Sequence, residues 1–212
     1  MTPASVQFTE EMLGHMTFGE EDFLRGSHAD RDGATPLMFH LTIVVDDIDR
    51  FGNDPRLAAG AVGYIESDGL GGRMAVEHGE FNLFVDTEPG VKRMLYRLFF
   101  RDGAGHPLTL TGFKLVKDDA GFDVWKDTTT LFTRVLRGHV HEADEATAEL
   151  VGSGVLRIRV RDFAKQLTTF RAGGQGVGAK VGALTKFMII FARQLAEAYL
   201  RKGRRANVAA QG

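Results

Sequence analysis

The chain has 212 residues, of which 43% are hydrophobic and 25% are charged, and this composition is that of one globular domain. It contains no Cys, which excludes disulfides, thiolate metal sites and a cysteine nucleophile and fits a cytoplasmic location. The net charge of −2 is unevenly distributed: residues 1–90 carry 17 acidic and 5 basic side chains, whereas residues 91–212 carry 11 and 21.

From residue 6 to residue 160 the chain consists of segments in which apolar and polar residues alternate, the pattern of half-buried strands. Strands are predicted at residues 6–18, 37–45, 58–67, 73–86, 91–101, 107–117, 122–140 and 151–160. One turn of helix is predicted near residues 20–24, and residues 46–55 are predicted to form a loop. Short turns rich in Gly and Asp separate the strands, which indicates a mainly β fold. We expect an antiparallel meander of about eight strands that closes into a lipocalin-like barrel, with a two-layer sandwich as the competing architecture.

The apolar spacing changes to a helical period near the C-terminus. Asp162 is a candidate N-cap for a helix at residues 163–170, and two glycines at 173 and 174 end it. A second, amphipathic helix is predicted at residues 177–200, ending at Gly203. The expected organisation is a single domain over 1–212, with a barrel at 6–160, two helices packed on it at 161–202 and a flexible tail at 203–212.

The charge asymmetry has two interpretations. Either the acidic and basic halves attract each other within the fold, or the basic part faces an acidic partner or an anionic lipid surface. The last helix, whose basic end runs from Arg193 to Arg205, also has the pattern of an interfacial helix that makes weak peripheral contact with a membrane. Nucleic acid is not expected, because residues 157–205 lack interleaved aromatic side chains and no helix-turn-helix or zinc pattern accompanies them.

One predicted strand has a face that suits the wall of a ligand pocket, because it mixes a large aromatic with short polar groups. This face contains Trp125, Asp127, Thr129, Leu131 and Thr133. Polar residues on other apolar strands either converge with it inside the barrel or face solvent: Tyr96, Lys114, His40 and Asn82. If the chain is an enzyme, Asp127, Tyr96 and His40 are the candidates for acid–base catalysis.

Two further motifs have some features of a cofactor site or a metal site, but neither is predicted to bind a cofactor or a metal. The glycine-rich run at residues 173–182 is similar to a nucleotide loop but follows a predicted helix instead of a strand, so no cofactor is expected. His139 and His141 would face the same way in an extended strand, which suits a metal. The spacing provides no third ligand, and surface histidines at the end of a strand are the favoured interpretation.

Five short phrases carry a family resemblance: FTEEM at 8–12, GEFNLF at 79–84, MLYRLFF at 94–100, TGFK at 111–114 and WKDTTTL at 125–131. Together they resemble a domain associated with bacterial glucose-methanol-choline oxidoreductases of the cholesterol-oxidase type. The resemblance implies an accessory domain that works beside an oxidoreductase or hydrolase partner, near the oxidation of sterol-like or other lipophilic molecules. It supplies no catalytic residues, and the chain lacks the glycine fingerprint of the flavin domain.

Three hypotheses follow from the sequence. The first is an accessory or binding domain for a lipophilic small molecule, such as a sterol-like one. The second is a small barrel enzyme, such as an isomerase or cyclase, that acts on an apolar substrate by acid–base catalysis. The third is a peripheral module that docks on a membrane or a protein through its last helix.

Overall fold

The computed structural model describes residues 3–88, 91–117, 129–158 and 169–209, with backbone alone at 88, 117 and 198–209. Within these residues the strands are β1 (Ser5–Phe18), β2 (Ala34–Val45), β3 (Ala58–Ser67), β4 (Gly72–Glu88), β5 (Val91–Arg101), β6 (Pro107–Lys117), β7 (Thr130–Arg137), β8 (Leu150–Arg157) and β9 (Arg171–Gly173). The helices are α1 (Phe23–Gly26), α2 (Ile48–Asn53) and α3 (Val177–Ala209), with 3₁₀ turns at Asp68–Leu70 and Glu142–Thr147.

The strands form a closed antiparallel barrel. Their order is β2-β3-β4-β5-β6-β7-β8-β1, and β1 pairs back onto β2 to close the sheet. The short strand β9 pairs with the start of β1, where Val6 lies opposite Ala172, and so continues the line of β8. The predicted meander and barrel are therefore confirmed, and the sandwich is excluded because the sheet has no second layer to pack against.

The seam between β1 and β8 depends on glycine. A Cβ atom placed on Gly14 would lie 2.1 Å from the carbonyl oxygen of Val155, and one on Gly154 would lie 2.0 Å from that of His15. Either distance is a severe overlap, so the two backbones approach more closely than any side chain allows. Glycine at these two positions lets the eighth strand meet the first.

Apolar side chains fill the barrel interior. On each strand the alternate, inward positions are apolar, as the period of two requires. The inward apolar residues with no measurable exposure are Met12, Met16, Phe39, Leu41, Ile43, Ile65, Leu98, Phe100, Leu110, Val116, Leu131, Val135 and Leu156. The interior of an eight-stranded barrel is wide enough for one layer of side chains or for a small ligand. Along the described strands of this barrel, side chains occupy the interior.

Helix α3 covers one end of the barrel. The buried ring of Phe187 lies 5.8 Å from that of Phe8, 6.0 Å from that of Phe51 in α2 and 5.6 Å from that of Phe170. The buried ammonium of Lys92 donates to Oε1 of Gln194 at 2.6 Å and ties the helix to β5. The described helices, α3 included, do not combine the length and apolarity needed to cross a membrane.

The C-terminal part differs from the prediction in three ways. Helix α3 begins at residue 177 as expected but continues through Gly203 to Ala209, so the end predicted at Gly203 is wrong. A single Gly in a helix interior costs only about 1 kcal/mol, too little to stop a helix among good helix formers. The segment assigned to helices also contains β9, which pairs with β1. The helix predicted at 163–170 falls mainly outside the described residues, and Phe170 lies in the turn before β9.

The remaining differences are local. Residues 46–55, predicted as a loop, contain α2, whose N-cap Asp47 accepts hydrogen bonds from the backbone N–H groups of Asp49 and Arg50 at 2.9 and 3.1 Å. The strand predicted at 122–140 is described from residue 130 and ends at Arg137, because Gly138 adopts a φ of +88°. The part of that prediction at 122–128 lies outside the described residues.

Candidate functional site

The structure separates the predicted polar residues into two groups. Tyr96 and Lys114 lie inside the barrel, at 3% and 2% exposure. Asn82 lies on the outer face, where its amide donates to the carbonyl oxygen of Arg56 at 3.1 Å. His40 is also outside, half-exposed and hydrogen-bonded to Glu11 at 3.1 Å.

The predicted pocket wall is described only in part. Leu131 and Thr133 face the interior with no measurable exposure, and Thr129 is buried at 5%. The hydroxyl of Thr133 donates to the carbonyl oxygen of Thr111 at 2.9 Å. Trp125 and Asp127 lie outside the described residues, so their part in a pocket stays a prediction.

A buried carboxylate joins the two polar residues of the interior. Glu10 on β1 is 2% exposed and forms an ion pair with the ammonium of Lys114 on β6 through Oε1. Its other oxygen, Oε2, accepts a hydrogen bond from the hydroxyl of Tyr96 on β5 at 2.7 Å. These three residues, the Glu10 network, connect one wall of the barrel to the opposite wall.

Burial raises the pKa of the Tyr96 hydroxyl well above its usual value, and the adjacent Glu10 carboxylate raises it further by charge repulsion and by accepting a hydrogen bond from the neutral hydroxyl. Each oxygen of Glu10 already holds a donor, and the Lys114 ammonium lies 5.2 Å from the centre of the Tyr96 ring. The network is thus self-contained, which indicates a structural tie across the core rather than an open acid–base pair.

Glu10 was not among the residues predicted from the sequence. The signal for it was present, because Glu10 has the same parity in β1 as Phe8 and Met12, which are both buried. A charged residue on an apolar face requires a partner of opposite charge, and Lys114 on the apolar face of β6 meets that requirement. Sequence spacing cannot show which strand supplies the partner.

The three candidate catalytic residues do not form a described site. Tyr96 points into the core and His40 points out of it, so the barrel wall separates them. The His40 ring stacks on Tyr64 with centroids 5.4 Å apart. Asp127 lies outside the described residues, and catalysis by it stays a prediction.

The two histidines proposed for a metal pack on an aromatic ring. The rings of His139 and His141 lie 5.5 and 5.3 Å from that of Phe99. They follow Gly138 and are not in a strand, so the premise of a shared strand face was wrong. In the described part of the chain no group of three or more His, Cys, Asp or Glu side chains is placed to hold a metal.

The glycine-rich run also has a different context from the one predicted. It follows β9, a strand, and leads into α3, where Gly174 and Gly176 adopt positive φ angles of 140° and 88°. The premise that a helix precedes the run was wrong. The sheet is antiparallel, however, so the run is not part of the βαβ unit in which a dinucleotide loop functions.

The outer wall of the barrel carries a groove of about 370 Å³ that is lined by residues of β4 to β7 and has its rings on β6 and β7, hereafter the outer groove. Its floor is apolar and includes Leu95, Gly112 and two stacked rings, Phe113 and Phe132, with centroids 5.4 Å apart. Phe23 of α1 stands edge-on to both rings, 5.6 Å from Phe113 and 5.8 Å from Phe132. All three rings are only half-buried.

Two guanidinium groups lie on these rings. The Cζ atom of Arg93 is 4.8 Å from the centre of Phe113, and that of Arg134 is 4.7 Å from the centre of Phe23. Within the described residues, the Nε–H of Arg134 is buried and has no hydrogen-bond partner, and an Nη2–H of the same group donates to the carbonyl oxygen of Glu21 at 3.5 Å. Because the Nε–H is closed off from solvent, an anion in the groove would be bound by the terminal nitrogens of the guanidinium groups.

The connection between β7 and β8 forms a wall of the outer groove. Arg97 donates to the carbonyl oxygen of Val140 at 2.7 Å and to Oε2 of Glu145 at 2.5 Å, which fixes this connection over β5. At the far end Arg56 pairs with Glu142 at 2.8 Å. These contacts pre-form the concave shape.

Polar and charged residues make up the larger part of the lining, so the rings form an aromatic surface within a charged groove. Of the residues predicted from sequence, Asn82 and Tyr96 line the outer groove. The groove itself was not predicted, because its residues come from α1, four strands and two connections, and only their assembly makes it visible.

No family model matches the chain, and neither a curated protein nor a solved structure is significantly similar to it.

Proposed function

We propose that the chain is a binding module that holds a small lipophilic molecule with an anionic group in the outer groove. The observation that carries the proposal is the pair of guanidinium groups, Arg93 and Arg134, that lie on the half-buried Phe113 and Phe23 rings in the outer groove. A flat apolar body would lie on the rings, and a carboxylate or similar anion would accept from Arg134. The volume of about 370 Å³ is near the lower end of the range for ligand pockets, about 300–1,000 Å³.

The outer groove, rather than the barrel interior, is the proposed ligand-binding site for two reasons. The inward side chains of the described strands are packed against each other with no measurable exposure. The one polar cluster among them, the Glu10 network, has its carboxylate oxygens occupied by Lys114 and Tyr96. A ligand in that part of the core would displace packed side chains, whereas the outer groove is open and partly apolar.

The family resemblance fits this proposal, because an accessory domain that holds a lipophile beside an oxidoreductase needs a ligand site and no catalytic centre. The proposal does not depend on the resemblance. Association with such an enzyme, and a sterol as the ligand, stay predictions.

Fluorescent probes test the proposal. Anilinonaphthalene sulfonate has a flat apolar body and one anionic group, and anilinonaphthalene is the same body without the charge. We expect the sulfonate to bind the folded protein more tightly than the neutral probe. Arg134→Met should weaken binding of the sulfonate about tenfold or more, since a hydrogen bond to a charged group contributes about 1.5–3 kcal/mol. The affinity for the neutral probe should change little.

The matched control is Arg137→Met, three positions along the same strand, where the exposed guanidinium pairs with Glu149 at 2.9 Å. This variant should bind both probes as the unmodified protein does. Equal weakening by both variants would show a non-specific charge effect and contradict the proposed site. Tight binding of the sulfonate that survives Arg134→Met unchanged would contradict it as well.

A further inference from the structure

The outward face of α3 is largely apolar. The helix packs on the barrel through Ala183 and Phe187, which are buried. Apart from Lys180 and Arg193, the exposed residues of the helix up to position 196 are small or apolar: Val177, Gly178, Val181, Gly182, Thr185, Met188, Ile189, Ala192 and Ala196. Of seven large apolar side chains that are exposed in the described residues, four lie on this face, with exposures of 78% for Val177, 57% for Val181, 51% for Met188 and 61% for Ile189.

The same helix is strongly basic. Residues 177–209 contain seven Lys and Arg residues against a single acidic one, Glu197. Two of the basic side chains are neutralised locally, since Lys186 pairs with Asp49 and Arg193 with Glu197 at 3.1 Å. The other basic residues of the helix are Lys180 and the run Arg201, Lys202, Arg204 and Arg205 near its end.

We propose that the outward face of α3 is a docking surface for an anionic lipid membrane, on which the helix lies parallel to the bilayer. The apolar side chains would enter the boundary between headgroups and acyl chains, and the basic run would supply the attraction to anionic headgroups. The surface is separate from the outer groove, because α3 covers an end of the barrel whereas the groove lies on the wall of β4 to β7.

Charge complementarity favours a lipid surface over a second copy of the chain. A dimer through this face would bring two basic helices together with Glu197 as the only acidic residue on each, and Glu197 is already paired with Arg193. A membrane supplies negative charge at any position along the helix, so it requires no matched pattern of acidic residues. The exposed Met188 and Ile189 side chains then gain a partner without burying an unpaired charge.

Co-sedimentation with vesicles tests the proposal. The full chain should bind vesicles of phosphatidylcholine mixed with phosphatidylglycerol and should bind pure phosphatidylcholine at least about tenfold more weakly. High salt should release it, because the attraction is screened within about 10 Å at 0.1 M ionic strength and within about 3 Å at 1 M. The double variant Met188→Gln/Ile189→Gln should lose about tenfold or more in binding while the unfolding midpoint stays unchanged.

The matched control is Val62→Gln on β3, a side chain with a similar exposure of 56% on another surface. This variant should bind vesicles as the unmodified chain does. Absence of salt-sensitive binding to the anionic vesicles would overturn the proposal, and so would equal binding by the double variant.

Light scattering distinguishes membrane binding from the remaining alternative, a dimer formed through the outward face of α3. The chain should stay monomeric without vesicles, and Gly178→Ala/Gly182→Ala should leave vesicle binding intact because added methyl groups meet open space at both positions. A dimer that this glycine double variant disrupts would assign the face to a second copy and overturn the lipid proposal.

Discussion

The Glu10 network gives the sharpest prediction about stability. Lys114→Met removes the ammonium and leaves a buried carboxylate with one donor, Tyr96, at 2% exposure. Breaking one side of a buried ion pair costs about 3–5 kcal/mol, because the remaining charge has neither water nor a counter-ion. With a urea m value of about 2–3 kcal/mol/M, the unfolding midpoint should fall by about 1–2.5 M.

Replacing the whole network separates the cost of an orphaned charge from the value of the network itself. The triple variant Glu10→Leu/Lys114→Met/Tyr96→Phe contains no buried polar group at these positions. It should be at least as stable as the unmodified chain, since apolar replacement of a buried pair is often neutral or stabilising by about 1–4 kcal/mol. Urea unfolding followed by circular dichroism measures both variants, with coincident transitions as the check on two-state behaviour.

The matched control is Lys186→Met, which removes one partner of the exposed pair with Asp49. The side chains of that pair are 44% and 72% exposed, so the loss should stay below about 1 kcal/mol. A cost for Lys114→Met no larger than that of the control would refute the account of the network. A triple variant as unstable as the single one would also refute it.

Three further outcomes are expected. Asp47→Ala should lower the unfolding free energy by about 1 kcal/mol in urea titrations, because it removes the N-cap of α2, whereas its exposed neighbour Asp46→Ala should not. Gly154→Ala should abolish stable folding or cost more than about 3 kcal/mol by calorimetry, because the new Cβ would lie 2.0 Å from the carbonyl oxygen of His15. Because the folded pKa of Tyr96 is raised above its unfolded value, its contribution to stability is complete below about pH 10 and is lost as pH rises further. Tyr96→Phe should therefore reduce the loss of stability with alkaline pH, and an unchanged slope would contradict this reasoning.

The strands could be predicted because burial of one face imposes a period of two. The bounds of β3, β5 and β6 match the sequence prediction at both ends. Each of these strands is bounded by turns that are rich in Gly or Asp or by a Pro residue. Helix α2 was missed because its sequence is polar and contains Gly, and only the burial of Ile48 and Phe51 explains why it is helical. Strand β9 was missed because three residues are too few to show a period.

Of the two interpretations of the charge asymmetry, attraction within the fold accounts for some of the charges, and a basic surface for an anionic partner stays a prediction. Ion pairs join acidic residues of the first half to basic residues of the second, as in Glu10 with Lys114 and Glu77 with Arg101. The pairing partners themselves were not predictable, because they depend on which strands face each other across the barrel. The same reason hid the outer groove, whose rings at 23, 113 and 132 are distant in sequence.

Mapping of a bound probe by nuclear magnetic resonance tests the central claim most directly. Titration of isotopically labelled protein with anilinonaphthalene sulfonate should shift the backbone amide signals of Phe113, Phe132 and Arg134, which line the outer groove. Inward residues such as Met12 and Leu41 should keep their signals, because packed side chains fill that space. Large shifts at the inward residues with none at the outer groove would contradict the account and place the ligand inside the barrel.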